Sequence, residues 1–150
     1  MRRESTTSVA WIRLIIDSLQ QHGLDCAVLC QNAGLPARYL FDPEQRISQK
    51  TVSSLWRAAE ETSNNSCIGL SVGQQLDFQY LSAVGYSLLS SETLGQALQR
   101  LTRYQRLIGE AIQLLQAEES PSVLVFDRLD NNISHHSIET NSHGAPLCHW

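Results

Sequence analysis

The chain has 150 residues, of which 42% are apolar and 17% are charged, and its formal net charge is −4. This composition excludes a disordered segment and favours one folded domain that is long enough to bury a hydrophobic core. The excess of acidic over basic residues argues against a domain that binds nucleic acid by itself, because such domains present a basic face.

The first apolar stretch does not have the properties of a membrane anchor. Val9–Leu19 is interrupted by Arg13 and Asp17 and is too short to cross a bilayer. Arg2 and Arg3 precede it, as in a signal peptide, but the internal charges break the apolar region and no A-x-A cleavage site follows. We therefore expect no membrane partner and a cytoplasmic location.

Helical periodicity dominates the region that follows a polar N-terminus. Residues 1–8 are predicted to be disordered, Asp25 and Ser48 are predicted N-caps, and Gly73 is a predicted helix stop. Apolar residues recur at helical spacing, which predicts helices over Val9–His22, Cys26–Ala33, a short segment containing Tyr39 and Leu40, Gln49–Thr62, Ser66–Val72, Leu81–Ser90 and Leu94–Ile108.

The period changes after Gly109. Ile112 and Leu114 alternate with a polar residue, residues 123–126 read VLVF, and EESPS at 118–122 lies between them, so we predict a β-hairpin. A lone hairpin is marginal and must pack on helices or pair with more strands. The predicted class is α+β and mainly α-helical. A helical part and an incomplete small sheet make up a domain over residues 9–130, and 131–150 form an irregular tail.

The helix Leu94–Ile108 carries two contrasting faces at about 100° per residue. Its apolar face contains Leu94, Ala97, Leu98, Leu101, Tyr104 and Ile108, and the opposite face contains Arg100, Arg103 and Arg106. The arginines could contact an anionic partner, but the spacing favours a solvated surface.

Gln105 falls on the apolar face of this helix, between Leu98 and Leu101. A polar amide on a core face needs hydrogen-bond partners. Gln105 either orients a ligand in a mostly apolar pocket, helped by Tyr104, or is a structural amide bonded to neighbouring backbone. The candidate ligand-binding residues are Tyr86, Leu101, Tyr104 and Gln105, and no catalytic, metal-binding or DNA-binding residue is assigned.

Three patterns resemble reactive sites but lack their defining features. GYSLL at 85–89 has leucine in place of the second glycine of a nucleophile elbow, and it lies in a predicted helix. His135 and Glu139 stand four apart without the H-E-x-x-H pattern of a zinc site. Cys26 and Cys30 also stand four apart, not as CxxC, and are predicted to be small buried hydrophobes. We expect a protein that is not an enzyme and has no cofactor.

The amino-acid sequences of the helical segments resemble those of one protein family. GYSLLSSET followed by LGQALQRLTRYQRLI, together with GLDCAVLCQNAGLPARYLFDPEQRIS and SVLVFDRL, is similar to the N-terminal effector domain of AraC/XylS-type transcription regulators. The subtype is the one labelled arabinose-binding, found in the ornithine- and virulence-regulator branch. The resemblance covers about residues 11–130, and the family often has histidine where this chain has Gln105.

The resemblance implies the sensing portion of a bacterial transcription regulator. Such a portion would bind an unknown small-molecule effector, form a homodimer, or do both. It would reach promoter DNA only through a C-terminal part with two helix-turn-helix units. Nothing in the sequence matches that part, so we expect it to be absent, and we expect the sensing domain to be incomplete, because the family's domain continues past the hairpin.

The last residues, SHGAPLCHW at 142–150, show no regular spacing of apolar residues and suggest a truncated or frameshifted product. Resequencing the locus tests this hypothesis, and a downstream region without a DNA-binding frame would contradict it. Two other functions stay open: a helical interaction module without a small ligand, and a small hydrolase or metal enzyme. Ligand-dependent stabilisation would favour sensing, a dimer indifferent to metabolites would favour the module, and stoichiometric metal would favour the enzyme.

Overall fold

The computed structural model of the chain describes residues 4–77, 81–117 and 120–128. The elements run in the order β1 (Thr6–Ser8), α1 (Val9–Gln21), α2 (Cys26–Asn32), a 3₁₀ turn (Ala37–Phe41), β2 (Arg46–Ser48), α3 (Gln49–Ser63), α4 (Ile68–Gln75), α5 (Ser82–Leu89), α6 (Leu94–Ile108), β3 (Ile112–Ala117) and β4 (Ser120–Arg128). This order confirms a mainly helical α+β fold. The predicted irregular tail and the pair His135 and Glu139 lie outside the described residues.

The predicted start signals of α2 and α3 are confirmed by their hydrogen bonds. The Asp25 carboxylate accepts from the backbone N–H groups of Ala27 at 3.0 Å and Val28 at 3.2 Å. The Ser48 hydroxyl accepts from the N–H of Thr51 at 3.3 Å. Each cap satisfies donors that the first helical turn would otherwise leave without a partner.

The prediction of a disordered N-terminus is wrong for residues 6–8. Thr6–Ser8 pair antiparallel with Arg46–Ser48, and Thr7 lies opposite Ile47. Thr7 and Ile47 are both buried. Strands of three residues are too short to display an alternation of period two, and their pairing depends on a partner 40 residues away. Local pattern therefore carries no signal for them.

The hydrophobic core lies among α1–α4 and the segments that connect them. Its largest fully buried side chains are Ile12, Ile15, Leu19, Leu29, Leu55, Val9 and Val72. Complete burial of one such side chain stabilises the fold by roughly 1.5–3 kcal/mol. The contiguous core cluster includes residues from Ile12 to Val72, so it belongs to the first half of the chain.

The predicted stop at Gly73 is wrong, because α4 continues to Gln75. Positive φ angles among the described glycines occur at Gly23 and Gly34, where the chain turns after α1 and α2. Gly73 has helical neighbours on both sides, and buried Val72 holds this turn against α1 through the bond from the Ser18 hydroxyl to its carbonyl at 3.5 Å. Tertiary packing thus carries the helix past the glycine.

The hairpin is confirmed, although its second strand begins earlier than predicted. β3 and β4 pair antiparallel with Leu114 opposite Phe126, and the register shifts between Gln116 and Ala117. β4 begins at Ser120 and includes Pro121, so most of the predicted connection EESPS belongs to a strand. A proline near the start of a strand, beside a register irregularity, is compatible with pairing.

Candidate effector and interaction site

Thr93 and Gln96 fix the start of α6. The Thr93 hydroxyl accepts from the N–H of Gln96 at 3.2 Å, and the Gln96 amide oxygen accepts from the N–H of Glu92 at 3.2 Å. The amide reaches one residue beyond the cap itself. These bonds set the point at which α6 leaves the turn after α5, and so they position Leu101, Tyr104 and Gln105.

Gln105 is a structural amide. Its Nε2 donates to the carbonyl oxygens of Leu114 and Thr102, both at 2.8 Å, and its Oε1 accepts from the N–H of Leu114. The side chain therefore pairs with β3 as a neighbouring peptide group would. Because each polar atom of the amide already has a backbone partner, Gln105 has little capacity left to orient a ligand, and the structural interpretation is favoured.

The other predicted ligand residues line neither of the two grooves described below. Tyr86 is 75% exposed and Tyr104 is 38% exposed, while Leu101 is partly buried. The expectation that one face of α6 belongs to the core is wrong, since none of its residues is buried. The neighbouring α5 and β3 cover the apolar side of α6 only in part, so amphipathic spacing alone overestimated its burial.

The arginine face of α6 is divided between two roles. Arg100 Nη1 donates to the carbonyl oxygen of Ser87 at 2.6 Å and to the Ser90 hydroxyl at 3.2 Å, at the C-terminal end of α5. The Ser87 carbonyl also accepts from the Ser90 and Ser91 hydroxyls, and the cation adds a charged donor that suits the negative end of the helix dipole. Arg103 and Arg106 are exposed, as predicted for a solvated surface.

The outward face of α5, defined here as Ala83, Tyr86 and Leu89, is apolar and exposed. The three residues recur every third position and so lie on one side of the helix. Val84 and Gly85, on the opposite side, are buried. α5 reads SAVGYSLL and contains no charged residue.

A polar joint links β1 and β2 to the end of α6. Arg46 Nε donates to the Thr6 hydroxyl at 2.7 Å, and Arg46 Nη1 and Nη2 donate to the carbonyl oxygens of Leu107 and Arg106, both at 3.4 Å. The Glu110 carboxylate accepts from the Thr6 N–H at 3.1 Å and from its hydroxyl at 2.7 Å. The joint therefore includes charge-assisted hydrogen bonds between elements far apart in the chain.

One groove lies between α1, α2 and the 3₁₀ turn, and its volume is about 430 Å³. Its lining is mostly apolar, with Ile16, Cys26, Ala27, Cys30, Gln31, Leu35, Pro36, Ala37 and Leu40. Burial raises the pKa of the Cys26 thiol to about 11, with smaller contributions from Cys30, Asp17 and Asp25, and burial also raises the pKa of Cys30. Both thiols are therefore neutral at physiological pH and present an apolar wall.

A smaller and more polar groove, of about 220 Å³, lies where α1 meets the end of α4. Asp17, Gln21, Gln75 and Asp77 line it together with Leu14 and Ser18. The sequence analysis predicted neither groove, because each is formed by the packing of α1 against other elements, from α2 and the 3₁₀ turn in one groove and from the end of α4 in the other. The run of small and apolar residues from Cys26 to Leu40 is the only local signal for the larger one.

The geometry of the described residues bears on three other features: a nucleophile elbow, a metal site and a membrane-spanning helix. Ser87 lies within α5, away from the strand-to-helix turn that a nucleophile elbow requires. Within residues 4–77, 81–117 and 120–128, no three His, Cys, Asp or Glu side chains are grouped so as to hold a metal ion. The same part of the chain contains no helix with the length and apolar character needed to span a membrane.

Two comparisons identify similar proteins. The family described as "Arabinose-binding domain of AraC transcription regulator, N-term" matches residues 23–141. The chain is also 29% identical, over 106 residues, to the ornithine utilization regulator of Pseudomonas aeruginosa strain PAO1. That alignment covers 71% of this chain and 31% of the relative, so the chain spans about a third of the relative's length.

Proposed function

Because the chain belongs to the family of N-terminal arabinose-binding domains of AraC transcription regulators, we propose that it binds a small-molecule effector and forms a homodimer. The observation that carries this proposal is the family match over residues 23–141. Effector binding would favour one arrangement of the regulator over another, and the DNA-binding part would respond to that population shift.

The apolar groove beside α2 is the proposed effector site. Its volume of about 430 Å³ falls within the range of roughly 300–1,000 Å³ that is usual for small-molecule sites. Its lining is also of the usual kind, mostly apolar with one amide, that of Gln31. By contrast, the predicted set of Tyr86, Leu101, Tyr104 and Gln105 has no enclosed volume among the described grooves and contains an amide that already has its partners.

Thermal unfolding in the presence of metabolites tests this proposal. The panel should include L-ornithine, from the activity that names the relative, and L-arabinose, from the family's description. A ligand at about 100 times its Kd stabilises the fold by roughly 2.7 kcal/mol, which gives a clear rise in Tm. A panel of metabolites that leaves Tm unchanged would count against effector binding.

A groove-filling variant locates the site. Ala37 is exposed at the groove, so Ala37→Trp fills the space without disturbing the core and should abolish the ligand-dependent rise in Tm. Thr62→Trp, on the exposed surface of α3, is the matched control and should retain it. An undiminished response in Ala37→Trp would place the effector elsewhere.

We also propose that this portion acts without catalysis and without contacting promoter DNA itself. Its net charge of −4 supports the second point, since DNA contact relies on basic side chains. Purified protein should show no metal at stoichiometric level and no salt-dependent retardation of promoter DNA. Either finding would contradict this part of the proposal.

A helical interaction module without a small ligand is the second candidate, and the exposed outward face of α5 favours it. Mass measurement in solution, combined with the metabolite panel, separates the two. A dimer whose Tm responds to no metabolite supports the module and not the sensor.

A further inference from the structure

We propose that the effector of the groove beside α2 is an uncharged, mainly apolar small molecule that carries one hydrogen-bonding group, such as a neutral alcohol or amide. This inference rests on the proposed function and names the chemical class of ligand that its site accepts. Ionised ligands and polyols are the two classes that the lining of the groove disfavours.

The lining of the groove contains no charged side chain. Six of its nine residues have hydrocarbon side chains, two are the cysteines Cys26 and Cys30, and one is Gln31. Both thiols are neutral at physiological pH, because burial raises the pKa of each. An ion that leaves water for such a lining loses its hydration and gains no counter-ion, which costs far more than the burial of a neutral group.

Three charged residues precede or interrupt the lining residues in the chain, and each has a contact outside the groove. Asp25 accepts backbone N–H groups at the start of α2, at 3.0 and 3.2 Å, so it already fills the place where an anion would meet that helix. Asp17 lines the other groove, and the Arg38 guanidinium lies 5.1 Å from the centre of the Tyr39 ring. An ionised ligand therefore finds no ready partner of opposite charge.

The backbone groups of the lining already have partners within the fold. The carbonyl oxygens of Cys30, Gln31 and Pro36 accept backbone N–H groups at 2.8, 3.1 and 3.0 Å. The Cys26 thiol donates to the carbonyl oxygen of Ile16 at 3.2 Å. A sugar would bring several hydroxyl groups to a surface with few remaining partners, and each buried hydroxyl without a partner weakens binding.

The Gln31 amide is the strongest hydrogen-bonding side chain of the lining. Gln31 is exposed at the groove, so its amide is accessible to a ligand and can both donate and accept. One such group among apolar walls fixes the orientation of a ligand whose body is apolar. The ligand therefore needs one neutral donor or acceptor beside an aliphatic or aromatic body.

Three compounds with the same octyl chain test the class: 1-octanol, octanoate and octylamine, which are neutral, anionic and cationic at neutral pH. Titration calorimetry should show that 1-octanol binds about 10-fold or more tightly than either ion, because only the ions must lose the hydration of a charge. L-Ornithine and L-arabinose should not bind in this groove. Ala37→Trp should abolish the binding of 1-octanol, and the control Thr62→Trp should retain it.

A second variant tests the amide. Gln31→Leu should weaken the binding of 1-octanol by roughly 3- to 10-fold, because it removes one hydrogen bond and keeps the apolar walls. Gln99→Leu, at an exposed position of α6, is the matched control and should leave the binding unchanged. Gln31 is itself exposed, so the replacement removes no core packing, and circular dichroism checks the fold. An unchanged affinity in Gln31→Leu would overturn the role of the amide.

The other outcomes separate the ligand class from the proposed function. If octanoate, octylamine, L-ornithine or L-arabinose binds more tightly than 1-octanol and Ala37→Trp abolishes that binding, the class is overturned and effector binding at the groove stands. Binding of 1-octanol that persists in Ala37→Trp also overturns the inference. A chain that binds none of these compounds and no other metabolite overturns both. If, in addition, Ala37→Trp changes the solution mass, the groove is a contact with another protein chain.

Discussion

The two halves of the described chain are held together by different interactions. Residues 4–77 share one contiguous core of buried aliphatic side chains from α1–α4. Residues 81–117 and 120–128 contribute the buried residues Leu81, Val84 and Ala111, but their longest helix has no buried residue, and Arg100, Gln105 and Arg46 make specific polar contacts with its neighbours or its end. Hydrogen bonds of this kind are directional, so each depends on the position of its partner.

The connection between the halves follows the same distinction. β1 and β2 contact the end of α6 through Thr6, Arg46 and Glu110, with an additional bridge between Thr7 and Gly109. Such a joint holds one geometry while its few bonds remain intact.

Truncation of one leucine in each half should give the largest difference in the free energy of unfolding. Leu55→Ala removes a side chain that is 1% exposed in the α3 face of the core, and it should lower the free energy of unfolding by about 2–5 kcal/mol. Leu107→Ala, at an exposed position of α6, should change it by less than about 0.5 kcal/mol. Urea denaturation measures both, and equal losses would contradict the contrast.

Loss of the Gln105 amide should destabilise the hairpin. Gln105→Ala leaves the N–H and carbonyl groups of Leu114 without their side-chain partners, at a cost of about 1–3 kcal/mol. Hydrogen exchange should show faster exchange at the Leu114 amide, while the amides of the α1–α4 core keep their protection. Gln99→Ala, on the exposed side of α6, is the control, and unchanged exchange at Leu114 would refute the structural role.

Arg46→Met should loosen the polar joint. Methionine keeps an unbranched stem of similar bulk but cannot donate to Thr6 or to the end of α6, and the loss should be about 1 kcal/mol because the joint is partly exposed. The Glu110 amide, which donates to the Thr6 carbonyl at 3.0 Å, should exchange faster. Arg13→Met, at an exposed position of α1, serves as the control. Full protection of the Glu110 amide in Arg46→Met would show that the joint does not need the arginine.

The Cys26 thiol should make stability fall in alkaline solution. Burial raises its pKa to about 11 in the fold, against 9.0 for an unperturbed cysteine thiol, so the unfolded chain loses this proton first. The thiol's contribution is complete below about pH 9 and is lost as pH rises toward about 11. The stability difference between wild type and Cys26→Ser should therefore shrink between about pH 9 and about pH 11. Groups present in both proteins cancel in this comparison, and a constant difference would contradict the raised pKa.

Helices and their starts could be predicted wherever the determining contacts are local. α6 has the predicted bounds Leu94–Ile108, and the predicted caps Asp25 and Ser48 begin α2 and α3. Side chains three or four residues apart share a helix face, and a cap bonds within its own first turn. The information for both features therefore lies within a few consecutive residues.

The site could be predicted less well. Helical spacing placed Gln105 correctly among the apolar residues of α6. The role of its amide, however, depends on β3, which begins only after α6 has ended. Tyr86 was assigned to a pocket, but its exposure follows from how α5 lies on its neighbours. The groove beside α2 is formed by α1, α2 and the 3₁₀ turn together, so the sequence of one of these segments alone does not predict it.

The sequence by itself determined the mainly helical class, the caps, the hairpin and the resemblance that the family match confirms, because each depends on residues close together in the chain. Only the tertiary structure decided that Thr6–Ser8 form a strand, that Arg46 joins the halves and that Gln105 bonds to β3. It also decided which apolar residues remain in solvent. These outcomes require contacts between residues 9 to 104 positions apart, and the free energy of such contacts is realised only when the whole fold has brought the partners together.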